Sequence, residues 1–522
     1  MVARPRSPQG ALIPQFYAGK EIFITGASGF LGKVLVERLL STCPEVAQLH
    51  LLMRPKKGLL PDKRLLQLKQ SQVFDILRQK DPQQLNKLSI IPGDVTQPNL
   101  GISEEYLKKL DKVSIVFHSA ATVKFDELLG CAVEQNIRSV IRVMDICDSL
   151  PNIETLIHVS TAYSNAEHPR VEERVYKSPE ELSKLLTLVD VLPTDLLQKI
   201  TPEYIAPKAN TYIFTKAMAE SVVFSRSSKK YSIAIFRPTT VVASLSHPFP
   251  GWVENLNGPP GVIATAGKGI LHVFRIDKTK VADLLPVDIA VNTLIAVGWE
   301  TTVDKLDTIR VYNSSTCENP ITWNMFELYM RKYLRGESPL DNAIWYPSGF
   351  SQFHLSKLNY QCMLFIRVLT IANRNTILIS QKTKAMSSLL AYFTMREWFF
   401  YTENVKRLMN RLTPEDRAIY NLDPTTIDWE NLMENFLLGT RRYILKEKDE
   451  NLPKARKHMR RVPSVRLFTY SIAEKITTIC MASKERHLVT VEENIIALFI
   501  LLKVKLLLCV YSVDQIVNVT NY

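Results

Sequence analysis

Short apolar runs alternate with longer amphipathic stretches through the first part of the chain. Ile22, Phe23 and Ile24 read as a buried strand, and Lys33 to Leu40 opens an apolar-patterned helix. Leu49–Met53, Leu88–Asp94, Ser114–Ala121, Leu156–Val159 and Ser232–Arg237 read as further strands. Alternation of strand and helix through residue 160 predicts an α/β fold built on one doubly wound parallel sheet of Rossmann type. In such a sheet a ligand belongs at the carboxyl ends of the strands, where Asp94, Val95, Ala120 and Ala121 fall.

The first strand-to-helix turn carries the clearest chemistry. Glu21 to Gly32 reads EIFITGASGFLG. Gly26 permits a tight turn, Gly29 lets the backbone approach a pyrophosphate, and Gly32 lets helix and strand pack closely. Phosphate then faces unpaired N–H groups and the positive end of the helix dipole. The expected cradle comprises Thr25, Gly26, Ser28, Gly29, Phe30, Leu31 and Gly32. A magnesium-dependent phosphate loop is excluded, because Lys33 is followed by valine where a hydroxyl is required.

Arg54 follows the second strand, at the distance where dinucleotide folds contact the adenosine ribose, with Lys56 and Lys57 behind it. Cations there suit the extra 2′-phosphate of NADP, where an acid would suit NAD. Asp94 is placed to accept from the adenine amino group, and Ala120 and Ala121 let the backbone come close to the cofactor.

Two Tyr-x-x-x-Lys spacings occur, Tyr204 to Lys208 and Tyr212 to Lys216. Four residues of helix put phenol and ammonium on one face, which predicts a phenol with its pKa drawn down from about 10. Pro207 breaks the first spacing, whereas Tyr212 to Val223 has neither Gly nor Pro, so the second is the candidate pair. Ser160 and Thr161 end the strand from Leu156 and supply hydroxyls. Arg237 and Pro238 end the next strand and are expected to close over the nicotinamide. Pro248 to Gly261, PFPGWVENLNGPPG, is either a substrate lid or a packed surface loop.

Composition adjusts this picture at the C-terminus. The chain has 522 residues, 46% of them hydrophobic, and a net charge of +13. Between Arg441 and Arg466 ten Lys or Arg stand against three acids, a local charge of +7 just before the most apolar stretch. That pattern points to an anionic membrane surface and away from nucleic acid. Ile495 to Val513 is interrupted by Lys503 and Lys505, which point roughly 200° apart on a helix. Two central lysines cost about 5 to 7 kcal/mol on insertion scales, so a span, a re-entrant piece and an interfacial helix all stay open. The seven cysteines are scattered without metal-ligand spacing, so no metal site is expected. The first fifteen residues lack the apolar run of a secretion signal and read as a loose tail.

Taken together, GKEIFITGASGFLGKVLVERLL, VFHSAATVKF, HVSTAYSN, NTYIFTKAMAE, FRPTTVVAS, PFPGWVENLNGPPG and ADLLPVDIAVN resemble the fatty acyl-CoA reductases, an extended branch of the short-chain dehydrogenase/reductases. The resemblance runs with gaps from about residue 16 to about 460. It implies NADPH as cofactor and reduction of long-chain acyl-CoA to fatty alcohol through an aldehyde. It implies Tyr212, Lys216 and Thr161, with Ser160 beside it, as catalytic residues, and Gly26, Gly29 and Gly32 as cofactor glycines. It divides the chain into a tail (1–15), an NADP-binding reductase domain (16–345), a smaller helical domain (346–465) and a membrane-associating tail (466–522). The expected setting is the peroxisomal or endoplasmic reticulum membrane, with the catalytic domain facing the cytosol and a homodimer as a candidate assembly. Residues 338–390 match poorly. The rival readings are an extended reductase acting on a sterol or other lipid, and a membrane-associated relative without activity.

Overall fold

The computed structural model describes residues 10–461, apart from 57, 228–229, 272–273 and 344–384. These residues belong to one compact unit that runs to Arg461. Its centre is a seven-stranded sheet of Glu21–Thr25 (β1), Gln48–Met53 (β2), Leu88–Pro92 (β3), Val113–His118 (β4), Thr155–Val159 (β5), Ser232–Pro238 (β6) and Arg310–Ser314 (β7). The order across it is β7-β6-β5-β4-β1-β2-β3, every neighbouring pair parallel. Strand order reverses between β1 and β4, and that crevice is where this architecture takes a ligand.

Alternation along each strand divides the apolar side chains between the two faces. Ile22, Ile24, Leu49, Leu51, Ile115 and Phe117 pack on one side with helices Phe30–Thr42 and Val287–Asp304. Phe23, Val116, Leu156, Ile233 and Ile235 pack on the other, with helices Ser139–Ser149 and Thr211–Ser225. Two strands end sooner than their apolar patterns suggest, β3 at Pro92 and β4 at His118, so Gly93 to Val95 and Ser119 to Ala121 are loop and free to shape a pocket rim.

Helices Glu403–Arg411 and Trp429–Gly439 lie on the first face, and Leu408, Trp429, Leu432 and Phe436 share one core with the helix that follows the glycines. Gly251 and Gly439 make this docking close. A Cβ on Gly439 would overlap the carbonyl of Gly251, and Gly251 itself sits at φ +78°, where a side chain is strained.

The expectation of a loose tail over the first fifteen residues does not hold from Leu12 onward. Leu12–Tyr17 is a helix whose first N–H groups, those of Leu12 and Ile13, donate to the carboxylate of Asp416 at 2.9 and 3.1 Å. Ile13 and Tyr17 are fully buried, and the Tyr17 hydroxyl donates to the Ile295 carbonyl at 2.8 Å. The partner that orders this turn lies about four hundred residues away, beyond any local pattern. Among the described residues no helix is long and apolar enough to cross a membrane. The segment Ile495–Val513 and the tail 466–522 lie outside the described residues.

Candidate active site

The β1 turn is shaped as its glycines require. Gly26 has φ +78°, and a Cβ there would sit 2.7 Å from the Ala120 nitrogen, so the β4 rim presses directly on the turn. A Cβ on Gly32 would overlap the Gly26 carbonyl. Helix Phe30–Thr42 starts with no side-chain cap, leaving its first N–H groups for an anion. Thr25 lies below the turn, its Oγ1 against His118 Nδ1 at 2.7 Å while accepting from the Ala120 N–H at 3.2 Å. It supports the cradle without lining it.

From this turn a single cavity of about 1370 Å³ extends past the strand ends. Gly26, Ser28, Gly29, Phe30, Leu31 and Gly32 line its start, and Ala121, Ser160, Thr161, Tyr212, Lys216 and Pro238 its middle. Beyond them Phe125, Tyr163, Leu390, Phe393, Trp398 and Phe400 form an apolar wall. Phe125 touches Tyr212, with ring centroids 5.9 Å apart, and Phe393 at 5.2 Å. The volume exceeds the usual range for one small-molecule site, about 300 to 1,000 Å³. It suits a dinucleotide and a second, largely apolar ligand together.

Tyr212 and Lys216 enter from helix Thr211–Ser225, which Asn210 caps by accepting from the Ile213 N–H at 2.9 Å. The other spacing is a structural pair of different make-up: Lys208 is buried, ion-paired to Glu167 at 2.6 Å and donating to the Ser164 carbonyl. Lys216 Nζ donates to the Val159 carbonyl at 2.8 Å, at the end of β5. Burial lowers its pKa to about 8, with the nearby Glu220 charge pulling the other way. Burial raises the Tyr212 phenol to about 12, partly offset by hydrogen bonding to Thr161. The expected acidification of the phenol by its lysine neighbour is therefore corrected. The ammonium is turned to a backbone carbonyl, and desolvation dominates the phenol. Thr161 Oγ1 accepts from the Tyr163 N–H at 3.3 Å and meets the Tyr212 phenol, so the two hydroxyls are held together at the middle of the cavity.

Of the expected cofactor contacts, Arg237, Asp94, Val95, Arg54 and Ala120 do not line the cavity. Arg237 is fully buried behind the wall and locked on Glu220, with Nη2 to Oε2 at 2.6 Å and Nε to Oε1 at 2.9 Å. Its remaining donors reach the carbonyls of Glu172 and Arg174, so it cannot close over a nicotinamide. Asp94 accepts from the Thr96 N–H and hydroxyl, both at 3.0 Å, and pairs with Arg54 at 3.3 Å. These bonds outweigh the effect of burial and hold its carboxyl below the usual range. It braces Arg54 and does not line the cavity. Val95 packs its side chain on the core and gives its carbonyl to Arg142.

Residues the motifs did not signal complete the site. Glu220, one helical turn past Lys216, collects Ser160 Oγ and Ser164 Oγ as well as Arg237. Asn136 accepts from the Thr122 N–H at 2.9 Å and donates to Thr215 Oγ1 at 2.9 Å, tying the loop after β4 to the helix of Tyr212. Arg64 donates to Ser28 Oγ at 3.0 Å and to the Arg54 carbonyl, so a second guanidinium stands beside Arg54 at the cradle's edge. The loop Pro248–Gly261 is packed at its middle and borders the cavity after it. Trp252 and Val253 are buried, while Glu254 to Gly258 line the cavity, with Glu254 paired to Lys33 at 2.8 Å.

Arg441 to Arg460, the described part of the basic run, do not form one solvated basic face. Arg441 is fully buried, paired with Asp341 at 2.6 Å and Glu447 at 3.0 Å, and Arg442 pairs with Asp449. Acids within and before the run are folded onto it.

Comparison with known proteins agrees with this geometry. The family described as Male sterility protein matches residues 24–294 and again residues 355–447. Fatty acyl-CoA reductase 1 of Gallus gallus and of Homo sapiens are each 38% identical over 467 residues, covering 87% of this chain and 90% of theirs. Fatty acyl-CoA reductase 2 of Bos taurus is 35% identical over 468 residues. Among solved structures, the terminal R domain of the myxalamid PKS-NRPS pathway superposes with TM-score 0.56 at 16% identity, covering 83% of this chain and 92% of its own. The reductase domain of a nonribosomal peptide synthetase from Mycobacterium tuberculosis does so with TM-score 0.54 at 17% identity, covering 84% and 94%. At these identities the two structures speak for the fold alone. The chain belongs to the fatty acyl-CoA reductase family of NAD(P)-dependent oxidoreductases.

Proposed function

We propose that this protein reduces long-chain fatty acyl-CoA to the fatty alcohol with NADPH, releasing CoA and passing through the aldehyde. The observation that carries this reading is the continuity of one cavity from a dinucleotide cradle, past Thr161, Tyr212 and Lys216, to an aromatic wall built for an apolar chain. When bound, the reduced nicotinamide supplies the hydride that attacks the thioester carbonyl carbon. Tyr212 and Thr161 donate to the carbonyl oxygen as it gains charge, where fixed donors contribute most. Tyr212 carries its proton at neutral pH, since burial raises its pKa to about 12. Lys216 holds a positive charge one helical turn away and anchors that turn to the end of β5. Collapse of the hemithioacetal expels the CoA thiol, and the same donors serve the aldehyde in a second reduction that consumes a second NADPH. Mass spectrometry of lipids from cells expressing the chain should show C16 or C18 alcohols, absent with Tyr212→Phe; an unchanged lipid profile refutes the reading. The tail 466–522 is proposed to hold the protein at a peroxisomal or endoplasmic reticulum membrane, and truncation after Arg461 should move it to the soluble fraction.

Lys216 gives this chemistry an alkaline limit. As pH rises through about 8 the ammonium loses its charge while Tyr212 still holds its proton, so kcat/KM should fall above pH 8 and stay level just below it. A profile flat to pH 10 would remove the cation from the mechanism.

The preference for NADPH over NADH is assigned to Arg64, which donates to Ser28 Oγ at the cradle and to the Arg54 carbonyl behind it. Arg64→Ala should raise KM for NADPH about tenfold or more, the worth of one charge-assisted hydrogen bond, and leave KM for NADH nearly unchanged. Equal effects on both cofactors would place the 2′-phosphate elsewhere.

A further inference from the structure

The cavity has a polar end that neither the cradle nor the aromatic wall accounts for. Glu254 of the loop Pro248–Gly261 accepts from Lys33 at 2.8 Å and from Ser71 Oγ at 3.4 Å, and Lys446 Nζ reaches Gln72 Oε1 at 3.4 Å. All five side chains line the same cavity as Tyr212. Lys33 is neutralised by Glu254, whereas among the described residues Lys446 has no carboxylate partner. Lys446 also sits at φ +56°, a left-handed conformation that a lysine adopts at a cost. The turn that holds it there is fixed from both sides: the Glu447 N–H donates to the Arg441 carbonyl, and Glu447 itself is gripped by Arg441 and Lys268. A rigid turn thus presents an ammonium without a carboxylate partner to a cavity whose cradle end already offers cofactor phosphates an uncapped helix N-terminus.

We propose that Lys446, with Gln72 and Ser71 beside it, binds a phosphate of the coenzyme A portion of the substrate, so that this end of the cavity selects acyl groups carried on CoA over phosphate-free thioesters. The inference rests on the acyl-CoA reading above and names the part of the substrate that this end recognises. The acyl chain takes the aromatic wall, the thioester lies at Tyr212, and the phosphorylated end of the carrier emerges past the lid residues Glu254 to Gly258 towards Lys446.

The test compares palmitoyl-CoA, palmitoyl-phosphopantetheine and palmitoyl-pantetheine as substrates of the full chain and of Lys446→Asn, a residue that tolerates the left-handed backbone. KM for palmitoyl-CoA should rise about tenfold in the variant with kcat nearly held, and KM for the phosphate-free thioester should not move. Raising the ionic strength should weaken palmitoyl-CoA with the wild type and do so less with the variant. The phosphopantetheine arm reports whether the contact is to the phosphate nearest the thioester or to those on the nucleotide. A parallel rise for all three substrates, or none for palmitoyl-CoA, overturns the assignment while leaving the reductase reading intact. A wild type that reduces none of the three overturns the reductase reading, and this inference with it.

Discussion

Tyr212→Phe is expected to lower kcat for acyl-CoA reduction by about 10³-fold while NADPH binds as before. The phenol sits in the middle of the cavity, on the same helix face as Lys216 and hydrogen bonded to Thr161. Removing its hydroxyl takes away the proton donor that the developing alkoxide needs, and a positioned acid of this kind is worth about 10²- to 10⁴-fold. Phenylalanine keeps the ring and its 5.9 Å contact with Phe125, so neither the helix nor the aromatic wall loses packing. The cradle turn, Arg54 and Arg64 are untouched, and titration of NADPH fluorescence should give the same Kd as the wild type. Thr161→Val should cost less, about 10²-fold, because it removes one of two donors to the same oxygen. A Tyr212→Phe enzyme within a few-fold of wild type would sink the assignment of the phenol as acid.

Much of this arrangement is legible in the chain because its causes are local. The glycines at 26, 29 and 32 need only the turn they make, and each proves to be a place where a Cβ meets backbone or the helix must start close to it. The choice of Tyr212 over Tyr204 rests on one proline, and the helix Thr211–Ser225 runs unbroken where Pro207 forbids the alternative. The sheet follows from its apolar runs. What the chain does not disclose depends on partners far away in sequence. Arg237 has the same strand-end address as a cofactor contact, and only the depth of Glu220 on a neighbouring helix tells it apart. Arg64 carries no motif, and its role appears when helix Pro61–Lys69 folds back over Ser28. Arg441 looks like the first charge of a basic run until Asp341 and Glu447 close around it. The pKa of Tyr212 is the same lesson in electrostatics. Spacing places an ammonium near a phenol, but the direction of the shift is set by burial and by what that ammonium hydrogen bonds.

The pair Arg237–Glu220 should be the costliest polar contact to break near the site. Both residues are at most 1% exposed, and the carboxylate is met by two guanidinium nitrogens at 2.6 and 2.9 Å. Arg237→Met would leave the Glu220 carboxylate without its guanidinium, facing the hydroxyls of Ser160 and Ser164 and the more distant Lys216, and breaking a buried pair in this way costs about 3 to 5 kcal/mol. Glu220→Met would strand the guanidinium on two backbone carbonyls at a similar cost. Replacing both by methionine removes both charges together, so the double variant should unfold nearer to wild type than either single variant, measured by denaturant unfolding as a double-mutant cycle. The two serines would then lose their acceptor. Ser160 stays tied to β6 through its N–H to the Phe236 carbonyl at 2.7 Å, but its side chain is released beside Thr161. A stable double variant is therefore expected to bind NADPH normally and to turn over more slowly than wild type. Simple additivity of the two single variants would show that the charges do not stabilise one another, and full activity in the double variant would show that Glu220 has no part in positioning the strand end that carries Thr161.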